Sequence, residues 1–385
     1  MSHIKSYITS AEKVIGAYSG SLPLHHFLKA FFKEHPYMGG RDRRWISQLV
    51  YHYYRLGQWG RDLPVGERIL AGTFLCESTP SDLLAVLRPE WNEQIALSLT
   101  EKMSLLAPTV TPEALFPLIA SLSDSIDASD FALSQLKQPK LFIRVRYRKL
   151  DKIVALLDKA GVAYEVFPNN TTIALPNGTR IEAIVTEKSW YEVQDASSQQ
   201  TGELFSPAKQ SRWWDCCAAS GGKSILLKDQ QSDVQLLVSD VRRSILDNLQ
   251  HRFAAAGIKH YEARVADLTA ANFPATMGNR QFDGIILDAP CSGSGTWGRT
   301  PENISFFKQE EILHYQQLQK NIARQVVPFV KKGGTLIYIT CSVFKQENEE
   351  VVDYIESISE LKRERGGVIA GYGKDADTMY AVRLS

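Results

Sequence analysis

Cys291 and Cys341 each follow an apolar run and each sits inside a dense polar motif, DAPCSGSGTWGRTPE after GIILDA and TCSVFKQENEE after TLIYI. A run of Ile, Leu and Val that stops at a polar, glycine-rich turn reads as a buried parallel strand ending at a loop. In open α/β sheets, chemistry collects at such strand ends. A thiolate is a strong nucleophile, so two thiols delivered to one rim of a sheet point to covalent catalysis.

The elements behind them read as alternating strand and helix from about residue 190. Strands are expected at 212–216 (RWWDC), 235–240 (QLLVSD), 262–267 (EARVAD), 284–289 (GIILDA) and 335–340 (TLIYIT). Helical segments between them imply a doubly wound, mostly parallel sheet. The first strand turns at CAASGGKS, where such sheets hold nucleotide-like cofactors by close backbone approach. A phosphate-binding loop would need glycine where Cys217 stands, and the GxGxxG fingerprint is absent. By itself the turn fits a tight bend as well as a cofactor site. Asp240 at the end of the next strand, where an acid bonds ribose hydroxyls, and Asp267 at the end of the third strand favour the cofactor site.

Upstream, the first 135 or so residues read as helical. RDRRWISQLVYHYYRLG places Trp45, Ile46, Leu49, Val50, Tyr53 and Leu56 on one helical face. Thr79 with Pro80, and Thr111 with Pro112, read as N-cap and first helical residue. Arg41, Arg43 and Arg44 precede the strongest helix and would suit phosphates as well as a solvated helix entrance. From 136 to about 185 a small α+β module is expected. KLFIRVRYRKL alternates, setting Arg144, Arg146 and Arg148 on one face and Ile143, Val145 and Tyr147 on the other. A helix stopped by Gly161 follows, then a strand, then two more short strands around the Asn177-Gly178 turn. The arginine face favours an RNA-backbone surface.

Composition bounds the rest. The 385 residues carry a net charge of +1, with 23% charged and 44% hydrophobic residues, so several globular domains are expected and nucleic acid would be held by local patches. Five cysteines without framework spacing point to a reducing cytosol, and the start lacks a secretory pattern. No apolar stretch approaches membrane-spanning length and no CxxC pair offers a metal site. A cytoplasmic protein with no membrane and no metal is expected.

DCCAASGGKS, LDAPCSGSGTWGRTPE and YITCSVFKQENEEVV resemble the cofactor loop and the two cysteine motifs of the RNA 5-methylcytosine methyltransferases (the RsmB/NOP/NSUN family). VQDASSQQTGEL resembles the segment before that family's first strand, and DRRWISQLVYHYYRLG the NusB-like domain of its bacterial RsmB type, which acts on small-subunit ribosomal RNA. The resemblance implies a helical RNA-binding domain over 1–135, a small RNA-binding α+β module over 136–190 and a Rossmann-like catalytic domain over 191–385. It implies S-adenosylmethionine as donor, held by Cys217, Ala218, Ala219, Ser220, Gly221, Gly222 and Lys223, with Asp240 on the ribose, Asp267 at the adenine and Asp288 also at the cofactor side. It assigns Cys341 as nucleophile on carbon-6 of cytosine, Cys291 to product release, and Asp288 to the base edge near nitrogen 3. Arg299, Pro301 and Glu302 would shape the RNA side.

A monomer acting on a single-stranded or flipped-out cytosine is expected, because a stacked base is inaccessible. The chain departs from the family at Ser220, where proline is usual, at Gly298, where a second basic residue is common, and in the tail DADTMYAVRLS. The first change loosens the loop and the others bear on RNA choice. Transfer RNA as substrate, and an RNA-binding assembly factor without catalysis, are the alternatives. A redox dithiol would leave the glycine loop and Asp240 unexplained.

Overall fold

The computed structural model describes residues 2–385, and the chain divides into two compact units. One is helical and is assembled from the chain up to Ala120, from Asp127–Gln138 and from Trp297–Lys308. Its helix Gly40–Arg55 buries Ile46, Leu49 and Val50, with Leu56 just beyond, while Trp45 and Tyr53 are half-buried. The face read from the sequence is the packed one. The Arg55 guanidinium, almost fully buried, stitches the three chain pieces by donating to the carbonyls of Gln135, Lys137 and Gly298. Thr111 caps Pro112–Leu115 through its hydroxyl, as expected. Thr79 does not cap a helix. That helix runs Asp82–Leu87 with Ser81 at its N-cap, because Pro80 is followed by extended rather than helical backbone.

The second unit holds two sheets. In the smaller one, β1 (Leu141–Val145), β2 (Glu165–Val166), β3 (Thr172–Leu175) and β4 (Tyr191–Val193) run antiparallel in the order β2-β3-β1-β4. Helix Leu150–Ala160 ends at Gly161, which takes the left-handed conformation (φ 63°) a C-terminal stop requires. The second strand expected after Asn177-Gly178 is instead the short helix Ile181–Ile184, so the turn leads out of the sheet. Ile143, Val145, Ile173 and Leu175 pack on Ile153 and Leu157 of the helix.

The opposite face corrects the expectation of an exposed arginine row. β1 ends at Val145, so Arg148 lies beyond it, in a left-handed turn (φ 57°). Arg144 is only 5% exposed. It donates to Asp229 (2.6 Å) and to Gln194 (2.9 Å). Arg146 forks onto the same Asp229 (2.7 Å) and donates to the carbonyl of Ala256 (2.8 Å). Period two placed Arg144 on the right face, but that face is covered by the neighbouring layer of the unit.

The larger sheet contains β5 (Arg212–Asp215), β6 (Gln235–Asp240), β7 (Glu262–Val265), β8 (Phe282–Asp288), β9 (Val330–Thr340), β10 (Arg363–Ile369) and β11 (Met379–Leu384). Its order is β10-β11-β9-β8-β5-β6-β7, parallel from β9 to β7, with β11 and β10 antiparallel at the edge. This is the doubly wound, Rossmann-like sheet expected. The chain steps outward through β6 and β7, then returns to add β8 on the other side of β5. The order therefore reverses between β5 and β8, and the loops leaving these strands diverge around a crevice. Two apolar layers, one around Trp214, Ile285 and Tyr338 and one around Ile225, Val238 and Ile337, hold the sheet from either side.

Two guanidiniums depend on Asp229. Asp229→Ala is expected to lower unfolding stability by about 2 kcal/mol in urea titration. That is less than the ~3–5 kcal/mol of fully buried pairs, because this carboxylate keeps one-fifth of its surface exposed.

Candidate active site

β8 and β9 pair in parallel with Asp288 opposite Ile339, and Ala289 continues the ladder by donating to the Ile339 carbonyl (2.8 Å). Neighbouring strands of equal reach must release their loops side by side. Cys291 Sγ and Cys341 Sγ accordingly lie 3.3 Å apart, one thiol donating to the other. That hydrogen bond, then burial, holds the Cys291 thiol well above its ordinary range. Neither sulfur is in a disulfide.

A buried carboxylate fixes both loops. Glu347, fully buried, accepts the backbone N–H of Ser292 (2.9 Å) and the hydroxyl of Ser342 (2.6 Å), the residues just after the two cysteines. Gln319 bridges the same carboxylate (2.9 Å) to the Pro290 carbonyl (3.0 Å), just before Cys291. Burial pushes the Glu347 carboxyl up. Asn348 ties the Thr340 hydroxyl to the Ser342 carbonyl. Gly295 donates to the Cys341 carbonyl and accepts from Thr378 (each 2.9 Å). A Cβ there would stand 1.8 Å from the Thr378 oxygen, so only glycine fits. The ENEE stretch was visible in the sequence, but which carboxylate turns inward was not.

The turn after β5 forms the neighbouring wall. Gly221 opens helix Gly222–Gln230 at φ 84°, and a Cβ on it would meet the Phe253 ring at 2.7 Å. Ala219 is also left-handed (φ 45°), and its N–H donates to Asp240 (3.1 Å), joining the turn to the end of β6. Asp240 accepts from the Arg242 backbone as well (3.0 Å). Ser220 does not leave the turn loose. Its hydroxyl and carbonyl both accept from Arg252 (2.6 and 3.0 Å), which is paired to Glu192 (2.6 Å). These bonds supply the stiffness expected of proline.

Lys223, in the first turn of the helix, meets Asp288 at 2.9 Å. Burial works against its charge, but the Asp288 carboxylate outweighs it and holds the ammonium above its ordinary value. Asp215, at the end of β5, is fully buried. One oxygen accepts from Ser224 (2.6 Å) and the other has no partner. Burial, opposed by that hydrogen bond and reinforced by Asp288, raises its carboxyl to about 7.

The structure therefore brings together Cys291 with Cys341, Lys223 with Asp288, and the 217–222 turn with Asp240. Asp267, just past β7, is turned to its own Thr269, whose N–H and hydroxyl hold its carboxyl below the usual range. Arg41, Arg43, Arg44 and Arg299 belong to the helical unit. There Arg43 donates to the Met38 carbonyl (2.8 Å), and Arg41 reaches Asp82 at 3.9 Å. Glu302, expected to shape the RNA side, does not face solvent. It is buried and accepts the Leu24 N–H at 3.1 Å, entering the helical core. Cys216 is packed, its thiol on the Ile286 carbonyl (3.2 Å).

Residues 203–366 match the family described as 16S rRNA methyltransferase RsmB/F. The chain is 32% identical over 240 residues to the ribosomal RNA small subunit methyltransferase B of Photorhabdus laumondii, covering 59% of this chain and 53% of that protein. It is 30% identical over 296 residues to the protein of the same name from Citrobacter koseri, covering 72% and 65%. The chain thus spans about half to two-thirds of these relatives' length. Among solved structures, PH0851 superposes over 100% of this chain and 98% of its own with a TM-score of 0.73 at 20% identity. NSun6 from Pyrococcus horikoshii, crystallised with SFG, gives 0.59 at 15% identity over 70% of this chain and 96% of its own. At such identities these two likenesses concern the fold.

The native state keeps a proton on Asp215 that the unfolded chain releases near pH 4. Its contribution is full below that pH and is lost as pH rises through about 7, on the order of 4 kcal/mol. Asp215→Asn is expected to flatten this fall. Urea unfolding of both proteins at pH 5 and pH 8 checks it, the variant losing less between the two.

Proposed function

We propose that the site, in a chain whose residues 203–366 match the 16S rRNA methyltransferase RsmB/F family, transfers a methyl group from S-adenosylmethionine to carbon-5 of a cytosine in small-subunit ribosomal RNA. The observation carrying this reading is the pair of thiols 3.3 Å apart at adjacent strand ends, beside the Lys223–Asp288 pair.

The residues present fit the donor. A Cβ on Gly222 would meet only the Gln194 amide, at 4.0 Å, so the start of the helix is not crowded. An acid stands at the end of the next strand, and Asp215 keeps an unpartnered buried oxygen. Cys217, Ala218, Ala219, Ser220, Gly221, Gly222 and Lys223 would hold the methionine end, Asp240 the ribose and Asp267 the adenine side. Bound there, S-adenosylmethionine supplies an electrophilic methyl group.

The protein's own share begins at Cys341. Its thiolate adds to carbon-6, which breaks the ring conjugation and makes carbon-5 nucleophilic. Asp288 accepts from the base edge near nitrogen 3, and the charge on Lys223 keeps that carboxylate in place. After carbon-5 takes the methyl group it gives up its proton to solvent water, the electrons of that carbon–hydrogen bond re-form the carbon-5–carbon-6 double bond, and the sulfur–carbon-6 bond breaks with its electron pair returning to Cys341. Cys291, held as a thiol, donates a hydrogen bond to the departing sulfur and eases its release. The flipped cytosine comes from RNA held in part by Arg41, Arg43, Arg44, Arg148 and Arg299, with 1–135 and 136–190 as RNA-binding segments and 191–385 as the catalytic one.

Cys341→Ser is expected to abolish methylation in a tritium-transfer assay, and normal turnover would remove Cys341 as nucleophile. Cys291→Ala is expected to accumulate a covalent protein–RNA adduct on denaturing gels. Asp240→Ala should weaken S-adenosylmethionine binding roughly tenfold or more in calorimetry.

A further inference from the structure

The covered arginine face leaves the small sheet without a free surface on which to read bases. One face is filled by Ile153 and Leu157 of its own helix. The other holds Phe142 against Ala376, Arg144 on Asp229 and the Thr172 hydroxyl on Gln199 (2.6 Å). What remains open is the end where β1 leaves and β4 enters. There the Arg146 N–H donates to the Trp190 carbonyl (2.9 Å), so the residues after β1 and before β4 are neighbours.

This end gathers rings and cations. Tyr147 is 78% exposed, an unusual cost for a large aromatic side chain. The Arg148 guanidinium lies over its ring at 4.8 Å, and Arg148 holds the left-handed backbone that few non-glycine residues adopt. Trp190, half-buried, carries the ammonium groups of Lys149 and Lys152 at 5.5 and 5.2 Å. Lys188 is exposed nearby in sequence. Of the acids in these stretches, Glu187 is occupied by the Ser189 hydroxyl and N–H.

We propose that Tyr147 and Trp190, with Arg148, Lys149 and Lys152, form a stacking platform for single-stranded RNA. Exposed rings bearing cations suit a ligand that presents flat bases and phosphates together, which single-stranded nucleic acid does. An acidic peptide would satisfy the lysines but leave the rings unused. The platform rests on the RNA reading of the active site and adds where the strand is held outside it.

The test is fluorescence anisotropy of the full chain with a labelled single-stranded oligoribonucleotide. Tyr147→Ala is expected to weaken binding by about 5- to 150-fold, and Tyr147→Phe to keep it. Lys149→Ala with Lys152→Ala should lower the salt slope by roughly 0.7 per lost phosphate contact. Calorimetry with S-adenosylmethionine should be unchanged in each variant, which reports an intact fold. Wild-type affinity in Tyr147→Ala and in the double lysine variant overturns the platform. So does a Tyr147→Phe protein as weak as Tyr147→Ala. The two readings fail separately. A wild-type protein that methylates while Tyr147→Ala binds normally sinks only the platform. One that never methylates but loses RNA on Tyr147→Ala sinks only the proposed reaction.

Discussion

One buried carboxylate sets the geometry of the thiols. Glu347 has no access to water and takes hydrogen bonds from both cysteine-bearing loops. A buried carboxylate left unsatisfied is costly, so the loops cannot drift from it without a large penalty. The rigidity of the thiol pair thus comes from beneath the sulfurs rather than from bonds they make themselves. The interaction needs two strands that end level, and the parallel register of β8 and β9 supplies them.

Around that anchor, the reversal of strand order between β8 and β5 opens the crevice in which the remaining groups meet. Lys223 comes from the first turn of the helix after β5 and Asp288 from the end of β8. A lysine is stable in so buried a place because the aspartate compensates it, and the aspartate is held in turn by the lysine. Asp215, beneath the same turn, is so fully buried that the Ser224 hydroxyl and the Lys223 charge do not offset its burial, and its carboxyl rises.

The sheet strands were legible because buried parallel strands are near-continuous apolar runs, and β6 matches its expected bounds residue for residue. The thiols and the 217–223 turn were legible because strand ends are where such sheets expose their loops. The partners that fix them were not. Gln319 lies 28 residues from Glu347, and Arg144 85 residues from Asp229, and no local pattern encodes such pairings. Alternation showed that Arg144 shares a face with Arg146, but not that another layer lies on that face. Ile181–Ile184 failed as a strand for a related reason, since four residues fit either period.

The helical unit is not a simple prefix of the chain. The DAPC motif is divided at Thr296, and Trp297–Lys308 completes the helical core, with Trp297 buried against Phe116 and Phe306 against Tyr18. Cutting the chain near residue 136 would strip those aromatic side chains of their partners and leave them in water beyond the cysteine-bearing loop after β8. The two units are interwoven in sequence. A lineage could not have gained or shed one of them by a single end-to-end fusion without rebuilding this excursion.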